Sequence, residues 1–394
     1  MIRLCCFIGL SSLVIQKTLT LFLRSSALQR KSSAKMRSQL VAALLMLATP
    51  IFAVPTKDSD CDTIVRPHES IQKAIDKAKR GDKIVVEAGV YYEQLTITKD
   101  GIHLIGKNAV LKPPKNGLTT NFCTGLTKSF PPTETDTNAG ICIYGKGFVL
   151  DTYNRTLQHR KIFRVGEYIK DVVVTGFNIT GFSGENIALI GGKDVKISKN
   201  YLIDAIQYGF LTVGSEGTMA EKNVITSNFP VVPFIGMCMD DKSDAKFKDN
   251  DISNYYIALC GQTPGGEMCK NAVKNCCYGA FIDPGVKGMK VVENTISGRN
   301  PGCMPKDGTG LVVFGASDTV VVRNTIENIR NNGTGVGIFV GDDEATGAKA
   351  MGNVFRKNRL RDNDLDIIPL ASANDSVFKE NVCEGALTPG FCNN

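Results

Sequence analysis

The chain has 394 residues, of which 43% are hydrophobic and 22% charged, a composition typical of a globular protein with a large core. The formal net charge of +7 comes entirely from residues 1–53, which contain seven basic residues and no acid, so that the remaining chain carries 39 residues of each sign. This balance lacks the clustered positive charge that nucleic acids and anionic membranes attract, and we exclude both as partners of the mature protein.

Residues 1–53 have the features of a leader. Residues 36–53 form a signal-peptide pattern, in which Arg37 precedes an apolar stretch and a short cleavage region. Upstream, residues 1–35 are either a membrane anchor or an extension before the true start; their polar interruptions favour the extension, since a spanning helix needs about 20 apolar residues. Both interpretations predict a secreted, extracellular protein with one mature domain over residues 54–394.

The cysteines agree with export. Of 13 cysteines, two lie in the leader, and the absence of Cys-x-x-Cys pairs together with only three histidines favours disulfides over a zinc framework. The odd number outside the leader leaves at least one thiol free, and the adjacent Cys276 and Cys277 are not expected to pair with each other. We predict the disulfides Cys123–Cys142 and Cys383–Cys392. Four glycosylation sequons suit an exported surface and begin at Asn154, Asn178, Asn332 and Asn374.

An internal repeat runs from about Val172 to Cys383. Each copy is a short strand of alternating apolar and polar residues, then Asn, then another apolar residue. The spacing is mostly 21 to 23 residues and at most 34, which is the period of a solenoid, and the alternation excludes helical repeats. The anchoring residues are Asn178, Asn200, Asn223, Asn250, Asn294, Asn324, Asn358 and Asn381, with a weaker copy at Asn271.

The repeat also predicts how the coils hold together. One coil cannot bury its apolar face alone, whereas coils stacked at the ~4.8 Å strand spacing bury a continuous core and pair every strand with its neighbours. We expect each anchoring Asn to occupy a bend, because Asn tolerates the left-handed conformation and its amide can bond to the Asn of the next coil.

The segment before the repeats predicts a cap. Residues 68–81 form an amphipathic helical pattern that ends in Gly, followed by a strand and turn over residues 82–93 and strands at 95–97 and 102–105. A helix over the open end of the stack would protect unpaired strand edges. Residues 112–138 contain four prolines and no periodicity, which predicts a long surface loop.

These N-terminal motifs carry a resemblance to a known family. Ser70-Ile-Gln-Lys-Ala-Ile-Asp76, Gly81-Asp-Lys-Ile-Val-Val86 and Gly89-Val-Tyr91 resemble the first segment of right-handed parallel β-helix proteins of the pectate-lyase-like superfamily. The resemblance covers about residues 61–383 and is closest to secreted β-helix repeat proteins of microbes. It implies an all-β fold, a single right-handed parallel β-helix (solenoid) with an N-terminal α-helical cap, and a polysaccharide partner; we expect a monomer.

The turns after the strands indicate where chemistry would lie. When the coils are aligned by their strands, one turn position is usually glycine, but in two coils it is aspartate. These two coils are two apart, which places the aspartates roughly 9.5 Å from each other by the strand spacing. This is the upper limit of the ~6.5–9.5 Å separation between acid and base in inverting glycoside hydrolases. The aligned position contains Gly191, Gly214, Asp240, Gly261, Asp283, Gly315 and Gly341. The catalytic candidates are therefore Asp240, its neighbour Asp241, and Asp283.

Neighbouring polar residues are candidates for binding. Lys242, Gln262 and Tyr278 are predicted to contact the substrate, the tyrosine by stacking on a sugar ring. If the reaction is a Ca²⁺-dependent elimination, Asp240, Asp241 and Asp244 would supply oxygen ligands, since hard cations bind several oxygens. Otherwise no cofactor is expected.

Enzymes of the resembled superfamily match this chain only in part. Met239-Asp-Asp241 is similar to part of the polygalacturonase pattern, but the Gly-His-Gly and Arg-Ile-Lys motifs of those enzymes are absent from the sequence. Tyr278 to Pro284 is similar to the Tyr-Gly-Phe-Asp-Pro-His motif of uronate epimerases, with one residue inserted and Gly285 in place of His. His68, His103 and His159 lie outside the repeat stack and are assigned structural roles.

Two functions follow from these observations. The first is a hydrolase or lyase acting on an acidic, uronate-containing polysaccharide through the three aspartates. The second is a non-catalytic extracellular protein that binds polysaccharide or a cell surface, in which the aspartates are ordinary turn residues. The absence of Trp argues against cellulose or chitin, whose binding sites usually contain flat aromatic platforms.

Overall fold

The computed structural model describes residues 62–370, 375–384 and 390–392. The predicted leader, Cys61 and the sequon at Asn374 lie outside these residues. The described part of the chain contains no helix with the length and apolar character needed to cross a membrane.

Short strands dominate the described residues and form two large parallel sheets. Sheet A contains β1 (Thr63–Val65), β2 (Lys83–Val86), β3 (Gly89–Tyr92), β5 (His103–Lys112), β10 (Val173–Thr180), β13 (Lys196–Ser198), β14 (Tyr201–Ile203), β16 (Thr218–Glu221), β17 (Val224–Thr226), β19 (Ala245–Lys248), β20 (Asp251–Ser253), β22 (Glu267–Cys269), β23 (Ala272–Lys274), β25 (Lys290–Val292), β26 (Thr295–Ser297), β28 (Val320–Val322), β29 (Thr325–Glu327), β31 (Val354–Arg356), β32 (Arg359–Arg361), β34 (Val377–Lys379) and β35 (Val382–Cys383). Sheet B contains β4 (Leu95–Ile97), β6 (Ile141–Tyr144), β11 (Glu185–Ile190), β15 (Tyr208–Val213), β18 (Ile235–Asp240), β21 (Ile257–Gln262), β24 (Tyr278–Ile282), β27 (Thr309–Phe314), β30 (Val336–Gly341) and β33 (Leu365–Pro369).

The remaining elements lie outside the two large sheets. An α-helix precedes the stack, a 3-10 helix lies in a loop, and two pairs of short strands form separate ladders, one antiparallel and one parallel. These elements are α1 (Ile71–Lys77), the 3-10 helix Arg155–Leu157, β7 (Val149–Leu150) with β8 (Ile162–Arg164), and β9 (Ile169–Lys170) with β12 (Gly192–Lys193).

The strands follow one another in coils of three. A typical coil runs through β13, β14 and β15, and each of these strands pairs in parallel with the equivalent strand one coil later. Because the pairing is parallel and in register, inward side chains stack on one another; Ile197, Ala220 and Phe247 are one such buried series. The prediction of an all-β parallel β-helix is confirmed.

A ladder of buried asparagines joins successive coils at the bend between the two strands that each coil contributes to sheet A. Each Nδ2 donates to the Oδ1 of the next Asn at 2.9–3.1 Å. The same Oδ1 accepts the backbone N–H of the preceding Asn. The ladder therefore satisfies buried polar groups that would otherwise destabilise the bend. Its members are Asn200, Asn223, Asn250, Asn271, Asn294, Asn324, Asn358 and Asn381.

The structure corrects two details of the predicted bend. Asn178 is not in the ladder: it lies within β10, and the N–H of Phe177 binds Asn200 instead. The left-handed residue is the one before each ladder Asn, with φ of 54–58°, because the Asn amide must turn inward while its predecessor turns the chain. These left-handed residues are Lys199, Lys222, Asp249, Lys270, Glu293, Arg323, Lys357 and Glu380.

The predicted cap helix is present but shorter than expected. Glu93 accepts the first N–H groups of α1, and Ile71 and Ile75 of this helix are buried against the first coils. The helix ends at Lys77 rather than at Gly81, because Ala78 is extended and the Lys99 ammonium binds carbonyl groups of the last turn.

Two irregular segments cover the outer face of the first strands of sheet B. Residues 113–139 form the predicted loop, and residues 149–164, which we name the covering hairpin, contain β7 and β8. Side chains of both segments pack in a second apolar core against the outward residues of sheet B. As a result, every residue of β15 and β18 is buried.

Four disulfides join the described cysteines. The predicted pairs Cys123–Cys142 and Cys383–Cys392 are confirmed. Cys238–Cys260 joins β18 to β21, and Cys277–Cys303 joins the start of β24 to a following loop. Among the described residues, Cys269 and Cys276 are free and buried.

We expect Asn271→Ala to lower stability strongly. The substitution leaves the N–H and Nδ2 of Asn250 and the carbonyl of Phe247 without their partner at 2.9–3.0 Å. Unpaired buried groups cost about 1–3 kcal/mol each, so the free energy of unfolding should fall by about 3–5 kcal/mol in chemical denaturation followed by circular dichroism. Asn228→Ala, at an exposed Asn outside the ladder, is the control and should change it by less than about 1 kcal/mol. Equal effects of the two substitutions would contradict the role of the ladder.

Candidate functional site

The last outward position of successive sheet B strands forms a column along the stack. Parallel pairing places Gln262 beside Asp240, and the pairing of Gly261 with Ile282 brings the next residue, Asp283, beside Gln262. In order, the column contains Val213, Asp240, Gln262, Asp283, Phe314 and Gly341. We name the four central residues, Asp240 to Phe314, the site column.

The column confirms part of the predicted alignment. The two aspartates lie two coils apart with Gln262 between them, as predicted. In other coils the alignment is wrong by one residue: Gly214 and Gly315 follow the column position, and Gly261 precedes it and faces the core. Side chains alternate along a strand, so an error of one residue exchanges the two faces.

The covering hairpin contributes three side chains to the column. His159 Nε2 and Lys161 Nζ both contact Asp240 Oδ2, and Lys161 Nζ also donates to Gln262 Oε1 at 3.1 Å. Gln262 Nε2 donates to Gln158 Oε1 at 2.9 Å. The fold thus joins side chains that are 79 to 104 residues apart in the sequence.

Asp240 is a buried, ionised carboxylate. Its side chain is 2% exposed, and burial alone would raise its pKa. The charges and hydrogen bonds of His159 and Lys161 outweigh burial and hold the pKa of Asp240 below its ordinary value. Asp240 therefore stays anionic at neutral pH.

Asp283 has the opposite electrostatic environment. Burial raises its pKa, and the negative charge of Asp240 raises it further, to about 7, against the weaker opposing effects of Lys161 and Gln262. Gln262 Nε2 donates to Asp283 Oδ2 at 2.5 Å. Near neutral pH, Asp283 can therefore release and take up a proton while Asp240 stays ionised.

The neighbours of Asp240 hold the hairpin instead of joining the column. Asp241 Oδ2 accepts the backbone N–H of Ile162, and Lys242 Nζ donates to the carbonyl oxygen of Ile162 at 3.0 Å. Asp244 is exposed. Within the described residues, no group of three or more His, Cys, Asp or Glu side chains is arranged to hold a metal ion; the Ca²⁺ site at Asp240, Asp241 and Asp244, expected only for a Ca²⁺-dependent reaction, stays a prediction.

Tyr278 is also separated from the column. It starts β24, whereas Asp283 follows the end of that strand, so that the two residues are five positions apart along extended chain, a distance of roughly 16 Å. Its hydroxyl donates to Asp307 Oδ1 at 2.9 Å, and the hydroxyl of Tyr256 donates to Asp307 Oδ2 at 2.8 Å. Tyr278 therefore lies apart from the column aspartates, and its contact with a sugar ring stays a prediction.

The hairpin residues are absent from the sequence-based candidates for the site. His159 is there assigned a structural role, and Gln158 and Lys161 are not considered, because all three lie in an insertion between β6 and β9, outside the repeats. One weak signal was available: His159 and Lys161 are two residues apart, which places both side chains on one face of an extended segment.

Two further ionisable groups lie beneath the covering segments. The Tyr208 ring is 6.1 Å from the His159 ring, and burial and the charge of Asp240 raise the pKa of Tyr208. Glu185 Oε1 accepts the hydroxyl of Thr127 at 2.8 Å, and burial raises the pKa of Glu185 to about 7. Both environments disfavour additional negative charge.

We expect the two column aspartates to affect stability in opposite directions. Asp240→Asn leaves His159 and Lys161 without their buried anion and should cost about 3–5 kcal/mol. The raised pKa of Asp283 means that the folded state binds the proton more tightly than the unfolded state, so stability is lost as the pH rises from about 4 to about 7. Asp283→Asn removes this loss, so at pH 8 the free energy of unfolding of the variant should exceed that of the wild type by about 1–2 kcal/mol, a value that allows for the partial exposure of Asp283.

Denaturation midpoints of the wild type and both variants at pH 5 and pH 8 check this expectation. An Asp283→Asn variant with the pH dependence of the wild type would contradict it.

Known proteins share this architecture. The profile of a family described as right handed beta helix region matches residues 235–392. A comparison with curated protein sequences found no match. Among solved structures, the chain is similar to the A-module of a mannuronan C-5 epimerase from Azotobacter vinelandii, with 15% identity, a TM-score of 0.51 and coverage of 82% of this chain and 94% of that one. It is also similar to a periplasmic alginate epimerase, with 12% identity, a TM-score of 0.50 and coverage of 83% and 84%.

Identities of this size show a shared fold and carry no activity with them. The matched profile over residues 235–392, the two similar structures and the stack of three-strand coils agree that the chain has a right-handed parallel β-helix fold.

Proposed function

We propose that the protein is a secreted enzyme that cleaves an acidic, uronate-containing polysaccharide at the site column, by hydrolysis or elimination. The observation that supports this proposal most directly is the difference in pKa between two carboxyl groups two coils apart. The pKa of Asp240 is lowered, and that of Asp283 is raised to about 7. Pairs of titratable groups whose environments separate their pKa values are the usual acid and base of a reaction.

The geometry supports hydrolysis through these two groups. Protonated Asp283 would donate its proton to the glycosidic oxygen as the bond to the anomeric carbon breaks. Asp240, roughly 9.5 Å away by the strand spacing, would accept the proton of the water that attacks that carbon. In an elimination, Asp240 would instead accept the proton from C5 of the uronate as the bond between C4 and the glycosidic oxygen breaks and the C4–C5 double bond forms, and Asp283 again would protonate the departing oxygen.

The charges favour an acidic substrate. The side chain of Lys161 is 22% exposed and lies between Asp240 and Gln262, where its ammonium can pair with a uronate carboxylate. The amide of Gln262 is half-buried and can bond to a sugar hydroxyl. The two similar structures are enzymes named for mannuronan and alginate, and a uronate polymer is consistent with them.

A screen against polygalacturonate, rhamnogalacturonan, alginate and neutral glucans tests the proposal. We expect new reducing ends on a uronate polymer, with added absorbance at about 235 nm if the reaction is an elimination. Asp283→Asn should reduce the rate by about 10²–10⁴-fold, the usual contribution of a general acid. Asp251→Asn, at a surface carboxylate of sheet A paired with Lys274, is the control and should retain the wild-type rate. Parallel reactions with Ca²⁺ and with chelator decide whether the cation is required.

The rate should also depend on pH in a specified direction. Because Asp283 acts in its protonated form, the rate should fall as the pH rises through about 7. A pH–rate profile on the polymer found in the screen checks this expectation. A rate that is constant between pH 6 and pH 9 would exclude Asp283 as the acid.

A second function, binding without cleavage, is favoured by the contacts of Asp240. Both of its carboxylate oxygens already accept hydrogen bonds within the protein, and His159 is fully buried beside it. Retention of the protein on an immobilised uronate polymer, with no product from any polymer in the screen, would support this function against cleavage.

A further inference from the structure

One end of the site column is closed by the covering hairpin. Beyond the side chains that it contributes to the column, the hairpin is anchored through Ile162, whose N–H binds Asp241 and whose carbonyl accepts from Lys242. The Ile162 side chain is buried in the second apolar core. The hairpin is therefore a packed wall across the column at Asp240.

At its other end the column continues with Phe314 and Gly341. The residue after Asp283 is Phe314, which is half-buried and whose ring centroid is 6.4 Å from that of Phe339. Gly341 follows, and a Cβ at this position would lie 3.1 Å from the Phe339 ring. The absence of a side chain at Gly341 leaves space for the Phe339 ring.

The spacing of the column matches a chain of sugars. Successive column residues are one coil apart, about 4.8 Å, which is close to the advance of one pyranose unit along an extended polysaccharide. A polysaccharide that lies along the stack therefore places one sugar over each coil. The apolar face of a sugar ring can stack on the phenyl ring of Phe314, one coil beyond Asp283. The wall at Asp240 prevents such a chain from continuing toward the N-terminal coils.

We propose that the protein binds its polysaccharide by a chain end. The terminal uronate lies against the covering hairpin with its carboxylate on Lys161, and the chain runs over Asp283 and Phe314. This inference rests on the proposed function, whose site it uses, and adds the direction of the bound chain and the restriction to one end.

The number of protein molecules bound to each chain tests the inference. Oligogalacturonates and alginate oligomers of increasing length, up to the polymers, are titrated calorimetrically into the Asp283→Asn variant. We expect one protein molecule per chain at every length. A number that grows with chain length would overturn binding by the end while leaving the proposed function intact. Failure of every oligomer and polymer to bind would overturn both.

Cleavage by the wild type provides a second measurement that does not depend on the variant. Attack from an end releases short products from the first time point while the mean mass of the polymer falls slowly. A rapid fall in mean mass before short products appear shows internal cleavage and overturns the inference alone.

Phe314→Ala tests the direction of the bound chain. Trisaccharides and longer oligomers should bind about fivefold to tenfold more weakly, because they reach the Phe314 coil, whereas disaccharides should be unaffected. Phe229→Ala, at a ring that is 42% exposed in the loop before β18 and outside both the column and the covering hairpin, is the matched control and should bind all lengths as the wild type does. Unchanged affinity of Phe314→Ala for long oligomers would overturn the proposed direction.

Discussion

An isolated coil of this chain would leave both edges of its three strands unpaired, and the apolar side chains inside it would have no layer above or below. Hydrogen bonds between coils remove this problem along the whole stack, through the parallel strand pairs and through the Asn ladder at one bend. The ladder also compensates for strain, since eight non-glycine residues adopt the left-handed conformation just before it, at about 1–2 kcal/mol each. All other features of the protein depend on the register that these bonds impose.

The regular stack and the irregular insertion make different contributions to the site. The stack places Asp240, Gln262 and Asp283 at fixed intervals on one face, and it would do so with almost any residue in those positions. The covering hairpin then makes the two aspartates different, because its His159 and Lys161 contact Asp240, whereas the pKa of Asp283 is set mainly by burial and by the negative charge of Asp240. Rigid repeats with chemistry supplied by an inserted segment are a common arrangement in binding and catalytic proteins.

The success and failure of sequence analysis follow the same division. Features set by the repeat were predictable: the coil period, the ladder residues from Asn200 to Asn381, and the two-coil separation of the aspartates. Features that depend on one residue of register were not. Gly261 was aligned with Asp240, although it lies in the strand and faces the core, because glycines both end strands and occur within them. The spacing of His159 and Lys161 indicated only that they share a face, since an insertion between coils has no spacing that relates it to the repeats.

The disulfides have a consequence for how the stack responds to force. Those among the described residues enclose only 9 to 26 residues of chain, and none joins distant coils. Crosslinks of such short reach restrict the unfolded chain locally and leave the two ends of the stack free of each other. Under tension applied at its ends, the solenoid would unfold one coil after another. A coil that contains a disulfide would add less extended chain length on unfolding than its neighbours. The coils around Asp240 and Asp283 contain Cys238–Cys260 and Cys277–Cys303, and they would be the part of the β-helix that lengthens least under force.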